Sequence, residues 1–331
     1  MNDAEFVAAL PKVELHVHLE GSMWPSTLRA LVDKHGLQDF PSDEAGLREW
    51  FEFRDFPHFI EVYLKSITTL IDEDDFSRLA YDSITALATH NTRYAEMHVS
   101  LFGHLMRGVD ASVVFDGIED GRLRAERDSG VVVRWIPDFP GDFGLDAANR
   151  TLDAVLADRR DSVVAFGIGG IEVPREPFGP VFRRAIDAGL HSVPHAGETE
   201  GPDRVWSAIR DLGAERIGHG IAVMQDPALV ELLREQRIPI DVSPTSNLRT
   251  RVVRTVAEHP LPAMIDAGLL VTLNSDDPSM FGTDLTREYR AALEMGLDRR
   301  AVATLATNAV DASFIDPELG RSIREEIQQL M

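Results

Sequence analysis

Eight short apolar runs, rich in β-branched residues, recur along this chain of 331 residues, and the intervals between them show helical periodicity. Strands alternating with helices are typical of a parallel sheet covered on both faces. Eight such units close a (β/α)8 barrel, and a doubly wound open sheet is the main alternative. We predict an α/β fold of the barrel type with strands at Lys12–His18, Arg93–Val99, Val131–Pro137, Val163–Gly169, Leu190–His195, Ala214–His219, Ile238–Ser243 and Leu270–Ser275.

The interval between the first two runs is too long for a single helix. At roughly 150 residues per domain the chain has the length of two domains, but a barrel commonly needs this length for one, and no linker divides the sequence. We predict one barrel domain over residues 1–331 with a helical insertion at about 20–92. Four phenylalanines of the insertion either pack its helices together or form a wall over a ligand: Phe51, Phe53, Phe56 and Phe59.

Charge and composition exclude several classes of partner and cofactor. Lys and Arg number 33 against 55 Asp and Glu, a net charge of −22, so the surface repels phosphate backbones and anionic lipids, and we expect neither nucleic acid nor a membrane as partner. The absence of cysteine excludes disulfides and cysteine-ligated metals. No apolar stretch approaches the roughly 18 residues of a membrane span, and the first residues do not form a signal peptide, which predicts a cytoplasmic location.

A metal site is predicted where the strands end. His16 and His18 lie at positions i and i+2 of the first strand, so both rings face one side and can share an ion, although hydrogen-bonded core histidines are the alternative. His195 and Asp276 lie at the ends of two other predicted strands, and the carboxyl ends of barrel strands converge. Three imidazoles and a carboxylate suit zinc, while iron, manganese or cobalt accept the same ligands. Such a cation lowers the pKa of water and indicates hydrolysis.

Three further polar residues accompany these ligands. Glu198 follows His195 by three residues and is our candidate general acid. His219, between two glycines, is a candidate to orient the attacking water and stabilise developing charge. In the segment NSDDP, Asp276 and Asp277 cannot face the same way on an extended strand, so one can bind metal while the other contacts the ligand; a simple turn is the alternative.

Five motifs occur in register along the chain: PKVELHVHLEGS, HAGE, RIGHG, SPTSN and NSDDP. With them the sequence resembles the adenosine deaminase family of the amidohydrolase superfamily, over about residues 8–310. The resemblance implies hydrolytic deamination of a 6-aminopurine to the 6-oxopurine with release of ammonia. It also implies one zinc ion per subunit, bound by His16, His18, His195 and Asp276.

The resemblance further implies roles for the residues around the metal. Glu198 protonates ring nitrogen 1 of the purine, while His219 and Asp276 activate the attacking water. Asp277 hydrogen-bonds ring nitrogen 7. The backbone of Gly170 approaches ring nitrogen 3, where a side chain would be in the way.

The sugar side departs from the family pattern. Members acting on adenosine typically have HLDG, whose acid contacts the ribose 5′ hydroxyl, whereas this chain has the longer Glu20. Glu20 is our candidate contact there, and His18 is a further candidate substrate-binding residue. The family's DLAGDE is GIGGIE at Gly167 to Glu172, so the acidic residue directly after the central glycine is lost. These departures concern the handling of the sugar and its 5′ substituent.

Several segments, among them HAGETEGPDRVW and LNSDDPSMFGTDL, resemble the branch of the family that includes aminodeoxyfutalosine deaminases of menaquinone biosynthesis. This implies a substrate with a carboxylated benzoyl group, for which the phenylalanines would supply apolar surface and Arg54, Arg249 or Arg251 a partner for the carboxylate. Adenosine is the next candidate. Adenine deamination is the alternative, and a non-catalytic binding barrel is a remote one.

A binuclear hydrolase is disfavoured by counting. Such enzymes of the same superfamily commonly need a carboxylated lysine on the fourth strand to bridge two metals, and this chain has no lysine beyond Lys65. The expected partner is a small-molecule purine.

Overall fold

The computed structural model describes residues 1–331 and contains one sheet of eight parallel strands, each paired with the next along the chain. The eighth strand returns to the first: the His18 amide donates to the Asp276 carbonyl at 2.7 Å, and the Asp276 amide donates to the His16 carbonyl at 3.0 Å. The predicted barrel is confirmed, and the open sheet is wrong. The strands are β1 Lys12–His18, β2 Thr92–Val99, β3 Val132–Pro140, β4 Ala165–Gly169, β5 His191–Ala196, β6 Ile217–His219, β7 Ile240–Val242 and β8 Val271–Leu273.

Several of the helices that surround the barrel begin at residues with strong capping preferences. Asp226, for example, accepts hydrogen bonds from two amides of the first turn that follows it, and proline occupies the next position. No helix is long and apolar enough to cross a bilayer. The helices are α1 Asp3–Ala9, α2 Pro25–His35, α3 Glu44–Trp50, α4 Phe56–Ser66, α5 Glu73–Ala88, α6 Leu101–Leu105, α7 Ala111–Ser129, α8 Gly144–Ala157, α9 Gly179–Asp187, α10 Pro202–Leu212, α11 Pro227–Gln236, α12 Pro244–Arg249, α13 Leu261–Asp266, α14 Pro278–Phe281, α15 Leu285–Glu294, α16 Arg299–Ala312 and α17 Pro317–Gln329.

Four helices, α2 to α5, lie between β1 and β2. The last of them, α5, packs along α7, and its buried Phe76 and Leu79 share one apolar core with Phe115 and Ile118 of α7. This helix therefore takes the place of the outer helix of the first βα unit. The additional helices after β1 are α2, α3 and α4, and α4 contributes to the wall of the cavity described below.

The middle of the barrel is polar. Arg216 is fully buried, with Nη2 2.6 Å from Glu96 Oε2 and Nε 2.6 Å from Asp241 Oδ2. The Thr272 hydroxyl donates to the other Asp241 oxygen at 2.8 Å. Barrel interiors are usually filled by branched apolar residues, so this layer of paired charges is a distinctive support beneath the strand ends.

Candidate active site

The four predicted metal ligands meet at the carboxyl ends of the strands. His18 Nε2 lies 3.2 Å from His195 Nε2, and both His16 Nε2 and His18 Nε2 lie 3.4 Å from Asp276 Oδ1. The rings of His16 and His195 have their centroids 4.5 Å apart. Residues separated by up to 260 positions thus present their ligand atoms to one small volume.

The buried ring nitrogens of this cluster lack protein partners. Neither nitrogen of His16 has a hydrogen bond, and Nδ1 of His195 has none. Burial lowers the pKa of His16 to about 4 and that of His195 well below its ordinary value, so both rings are neutral at physiological pH. Burial alone would raise the pKa of Asp276, but the nearby rings of His16 and His219 hold it low. Neutral imidazoles beside a carboxylate fit a divalent metal ion.

Two residues of the site have left-handed backbones. His219 has φ = 62° and Asp276 has φ = 63°, a conformation that costs a non-glycine residue about 1–2 kcal/mol. His219 ends β6, and Asp276 lies three residues after the end of β8. The turn directs both side chains into the mouth of the barrel, and such strain is concentrated at functional sites.

Glu198 lies beside His219, with 3.6 Å between Glu198 Oε2 and His219 Nε2. Burial raises the pKa of Glu198 well above its usual range, with the charges of Asp276 and Glu172 adding to the effect. The site therefore favours the protonated form of Glu198. Burial lowers the pKa of His219 to about 3, so its ring is neutral. A protonated carboxylic acid and a neutral imidazole are an acid and base pair ready for proton transfer.

The turn that carries Glu198 is held by Glu172, whose position the sequence analysis noted without assigning a role. The amides of Gly197, Glu198 and Thr199 donate to its carboxylate at 2.7 to 2.9 Å, and that of Glu200 at 3.4 Å. A carboxylate that accepts several backbone amides fixes their conformation. Glu172 thus sets the position of the candidate acid.

The side chains of Asp276 and Asp277 point in different directions, as predicted for residues adjacent in the sequence. Ser246, from the SPTSN segment, donates to Asp276 Oδ2 at 2.6 Å, a contact that the sequence analysis did not identify. The buried Asp277 Oδ1 has no partner, and its carboxyl lies where a side chain at Gly21 would be, which explains the glycine of HLEG. Burial, together with the charge of Asp276, raises the pKa of Asp277.

Gly170 follows β4 with φ = 71°, and a Cβ there would come within 2.9 Å of Pro140. No other residue fits without displacing the backbone. Gly170, Glu198 and Asp277 all line the same cavity. Their predicted roles toward the purine remain predictions that this arrangement permits.

The cavity over the site has a volume of about 960 Å³ including its open mouth. Phe56 and Phe59 line the cavity, as the prediction of a wall over a ligand requires. Phe51 and Phe53 are buried against neighbouring helices, which is the alternative role of packing. No arginine or lysine lines the cavity. Its apolar wall comprises Phe56, Phe59, Ile60, Leu64, Ile67, Phe139, Phe143, Ile171 and Phe281.

The structure does not bring Glu20 to the cavity. Its carboxylate is 1% exposed and accepts from the Ser100 amide at 3.1 Å and the Tyr63 hydroxyl at 3.3 Å, with His104 Nε2 at 2.8 Å. Tyr63 and Ser100 line the cavity in its place. The sequence could not reveal this because Tyr63 reaches Glu20 from α4, more than 40 residues away.

The sequence analysis also missed a pair of polar residues on β2 and β3. His98 Nδ1 lies 3.1 Å from Asp138 Oδ2, and both residues are buried. The His98 ring lies about 5 Å from those of His16, His18 and His195, measured between centroids. The available signal was position alone, since each residue is the single charged or titratable group near the end of its strand.

An eight-stranded barrel with neutral imidazoles, a carboxylate and a protonated acid at its carboxyl face defines the class of metal-dependent hydrolases. The chain belongs to the adenosine deaminase family: the family model described as "Adenosine deaminase" matches residues 11–330. The family predicted from the motifs is thereby confirmed.

Three relatives illustrate the membership. An aminodeoxyfutalosine deaminase of Streptomyces avermitilis is 48% identical over 97% of this chain and 91% of its own length. The crystal structure of an adenine deaminase from Arthrobacter aurescens superposes with a TM-score of 0.93 at 32% identity, covering 97% of this chain and 98% of that one. A Burkhoderia ambifaria amidohydrolase with bound Zn has a TM-score of 0.90 at 26% identity, covering 100% and 94% of the two chains.

Proposed function

We propose that this protein is a zinc-dependent hydrolase that deaminates a 6-aminopurine nucleoside, with aminodeoxyfutalosine as its preferred substrate. The observation that carries the chemistry is the buried Glu198, whose pKa is raised by its surroundings, beside a buried cluster of histidines and Asp276. Membership of the adenosine deaminase family makes it a hydrolytic deaminase of 6-aminopurines. We propose in addition that the metal is zinc, that each chain binds one ion, and that the individual residues have the roles described below.

His16, His18, His195 and Asp276 would hold the metal ion. When bound, a divalent ion supplies Lewis acidity that lowers the pKa of water towards neutrality. The relative with bound Zn favours zinc. The neutral His16 and His195 rings have no proton to lose before binding, which favours loading at physiological pH.

Glu198 donates its proton to ring nitrogen 1 and so makes carbon 6 electrophilic. The neutral His219, through Nε2, accepts a proton from the attacking water. One water proton leaves with the amine as ammonia, and the other restores Glu198. The purine becomes a 6-oxopurine, and both side chains return to their starting protonation states.

Asp277 and Gly170 orient the base. Ring nitrogen 7 is an acceptor, so it needs a donor, and burial together with the charge of Asp276 favours the protonated form of Asp277. The Gly170 backbone can approach ring nitrogen 3 because no side chain intervenes. Together with Glu198, these groups would contact ring nitrogens 1, 3 and 7 of one purine.

The cavity favours a substrate larger than a free base. Beyond the polar groups proposed to contact the base, it continues along an apolar wall that includes Phe56, Phe59 and Ile60 of α4. Phe143 and Ile171 line it and are 39% and 46% exposed, an apolar mouth suited to an aromatic 5′ substituent. The 48% identical aminodeoxyfutalosine deaminase supports the same choice.

None of the arginines predicted as partners for the substrate carboxylate lines the cavity. Arg249 instead donates to Glu52 and to the Phe51 carbonyl, both at 3.0 Å, and neither Arg54 nor Arg251 lines the cavity. We therefore expect the carboxylate of the substituent to remain in water at the mouth. Adenine deamination is the second candidate, because the Arthrobacter aurescens adenine deaminase has nearly the same fold.

The test is a parallel assay of the zinc-loaded protein with aminodeoxyfutalosine, adenosine and adenine, following the ultraviolet change from 6-aminopurine to 6-oxopurine. We expect the highest kcat/KM for aminodeoxyfutalosine. Glu198→Gln, which keeps the shape but removes the acid, should bind zinc and lose about 10²- to 10⁴-fold in kcat. Preference for adenine would contradict the nucleoside assignment, and inactivity on all three would contradict the function. The cytoplasmic location and the absence of nucleic-acid and membrane partners stay predictions.

A further inference from the structure

One polar group on the cavity wall has no role in the reaction described above. Asp138, on β3, lines the cavity although it is only 2% exposed. Its carboxylate has two protein partners, the His98 ring at 3.1 Å and the side chain of Ser100. A carboxylate offers about four acceptor positions, so these partners leave capacity for a donor in the cavity.

The proposed orientation of the base determines what lies next to Asp138. Ring nitrogens 1, 3 and 7 face Glu198, Gly170 and Asp277, which follow β5, β4 and β8 respectively. On the perimeter of a purine, nitrogen 9 lies between nitrogens 3 and 7, on the side away from nitrogen 1. Around the barrel, the path from β4 to β8 that avoids β5 crosses β3, β2 and β1. The substituent on nitrogen 9 therefore faces β1 to β3.

Asp138 is the carboxylate that reaches the cavity from these three strands. Glu20, which follows β1, is enclosed by Tyr63, Ser100 and His104. The next carboxylate on the cavity lining, Asp142, is exposed at the mouth. Around Asp138 the wall is apolar, with Phe139 and Pro140 following it in the chain.

We propose that Asp138, oriented by His98 and Ser100, accepts a hydrogen bond from a ribose hydroxyl and thereby selects 6-aminopurine nucleosides over the free base. Carboxylates bind ribose hydroxyls in the same way in dinucleotide sites. The inference rests on the proposed function and names the residue that sets its substrate class. It transfers the sugar contact expected of Glu20, which follows β1, to β3.

A role confined to orienting His18 is the competing explanation. Asp138 Oδ2 lies 3.9 Å from His18 Nδ1, beyond hydrogen-bond distance. An Asp138 that acted only through His18 would affect every substrate equally. A sugar contact affects only substrates that carry the hydroxyl.

The experiment measures kcat/KM of wild type, Asp138→Ala and Asp138→Asn with adenosine, 2′-deoxyadenosine, 3′-deoxyadenosine and adenine, with zinc content determined for each. Asp142→Ala, which removes a carboxylate from the same cavity, is the matched control. We expect Asp138→Ala to lower kcat/KM for adenosine about 10- to 100-fold, as for a hydrogen bond to a charged group. For adenine and for the deoxynucleoside that lacks the bound hydroxyl, the change should be less than about threefold. Asp138→Asn, which keeps the shape, provides the same comparison if the alanine variant folds poorly.

An equal loss on all four substrates, or loss of zinc from both Asp138 variants, would overturn the inference while leaving the deaminase function intact. A loss of nucleoside preference in Asp142→Ala instead of Asp138→Ala would also overturn it. A wild-type protein inactive on every 6-aminopurine would overturn the proposed function and this inference together.

Discussion

Two buried polar clusters lie one above the other in this barrel, and they differ in how their polar atoms are satisfied. In the lower cluster, Arg216 has an opposite charge 2.6 Å away on each side, in Glu96 and Asp241. In the upper cluster, buried ring nitrogens of His16 and His195 have no protein partner. An unpaired buried polar group costs free energy, so the upper cluster is suited to bind something other than protein.

The two clusters are connected through Asn274. Its Oδ1 accepts from the amides of Leu15 at 2.8 Å and His16 at 3.1 Å, and its amide group donates to Thr272 at 2.9 Å. Thr272 in turn donates to Asp241 of the lower cluster. The paired charges therefore support the strand that carries His16. We infer that the lower cluster mainly stabilises the fold and that the upper cluster carries out the chemistry.

The largest effect is expected from the upper cluster. His195→Ala should lower zinc binding and reduce kcat by more than about 10³-fold, because water then loses the pKa shift that a metal supplies. The free energy of unfolding of the metal-free protein should fall far less. His259→Ala is the control: this buried histidine has a partner, with 3.1 Å between its Nε2 and Asn247 Oδ1. Retained zinc and activity in His195→Ala would contradict the comparison.

The lower cluster should respond in the opposite way. Arg216→Met leaves two buried carboxylates unpaired and should reduce the free energy of unfolding by about 3–5 kcal/mol. The folded fraction should retain zinc and most of its kcat. Denaturant titration measures the stability, and Arg254→Met, which removes an exposed ion pair with Glu258, should cost less than about 1 kcal/mol. If Arg216→Met lost zinc or kcat while its free energy of unfolding stayed unchanged, the assignment of the two clusters would be reversed.

Much of this organisation could be predicted from the sequence. The first strand was predicted with its observed bounds, because its apolar run ends at a distinct pair of histidines. The remaining strands were located within a few residues. The predicted insertion at 20–92 included α5, which packs as a barrel helix, because amphipathic helices look alike whichever surface they cover.

The parts that could not be predicted depend on contacts between distant strands. Glu20 was expected at the sugar, and its enclosure by Tyr63 requires the position of α4. The pairing of His98 with Asp138 has no local signal. Arg216 is in the same RIGHG motif as His219, but only the fold shows that it points to the opposite layer, toward Glu96.

A buried carboxylate outside both clusters measures what burial alone costs. Burial raises the pKa of Glu288 from 4.5 to about 7, although Thr245 and Thr283 hydrogen-bond to it. Between these pH values the native state binds more protons than the unfolded state, so stability should fall as pH rises, by about 3 kcal/mol in total. Glu288→Gln should remove this slope in denaturant titrations from pH 4.5 to 7. If the stability of Glu288→Gln depended on pH as steeply as that of the exposed control Glu61→Gln, the slope would have to come from another group.

The smallest effect is expected for Glu172, which holds the turn that carries Glu198. Glu172→Gln directs an amide group at backbone amides and should lower kcat about 10- to 100-fold with zinc content unchanged. In the Glu198→Gln background the further loss should disappear, because Glu172 acts through Glu198. The exposed Glu176→Gln, on the same connection, should have no effect. Additive losses in the double variant would show that Glu172 does not act on the acid.

The most direct test of the upper cluster as a metal site is a zinc titration of metal-free protein, with deamination of a 6-aminopurine nucleoside measured at each point. We predict no activity without metal, a linear rise to one equivalent of zinc per chain and a plateau thereafter. Full activity in the metal-free protein, or a rise that continues to two equivalents, would contradict it.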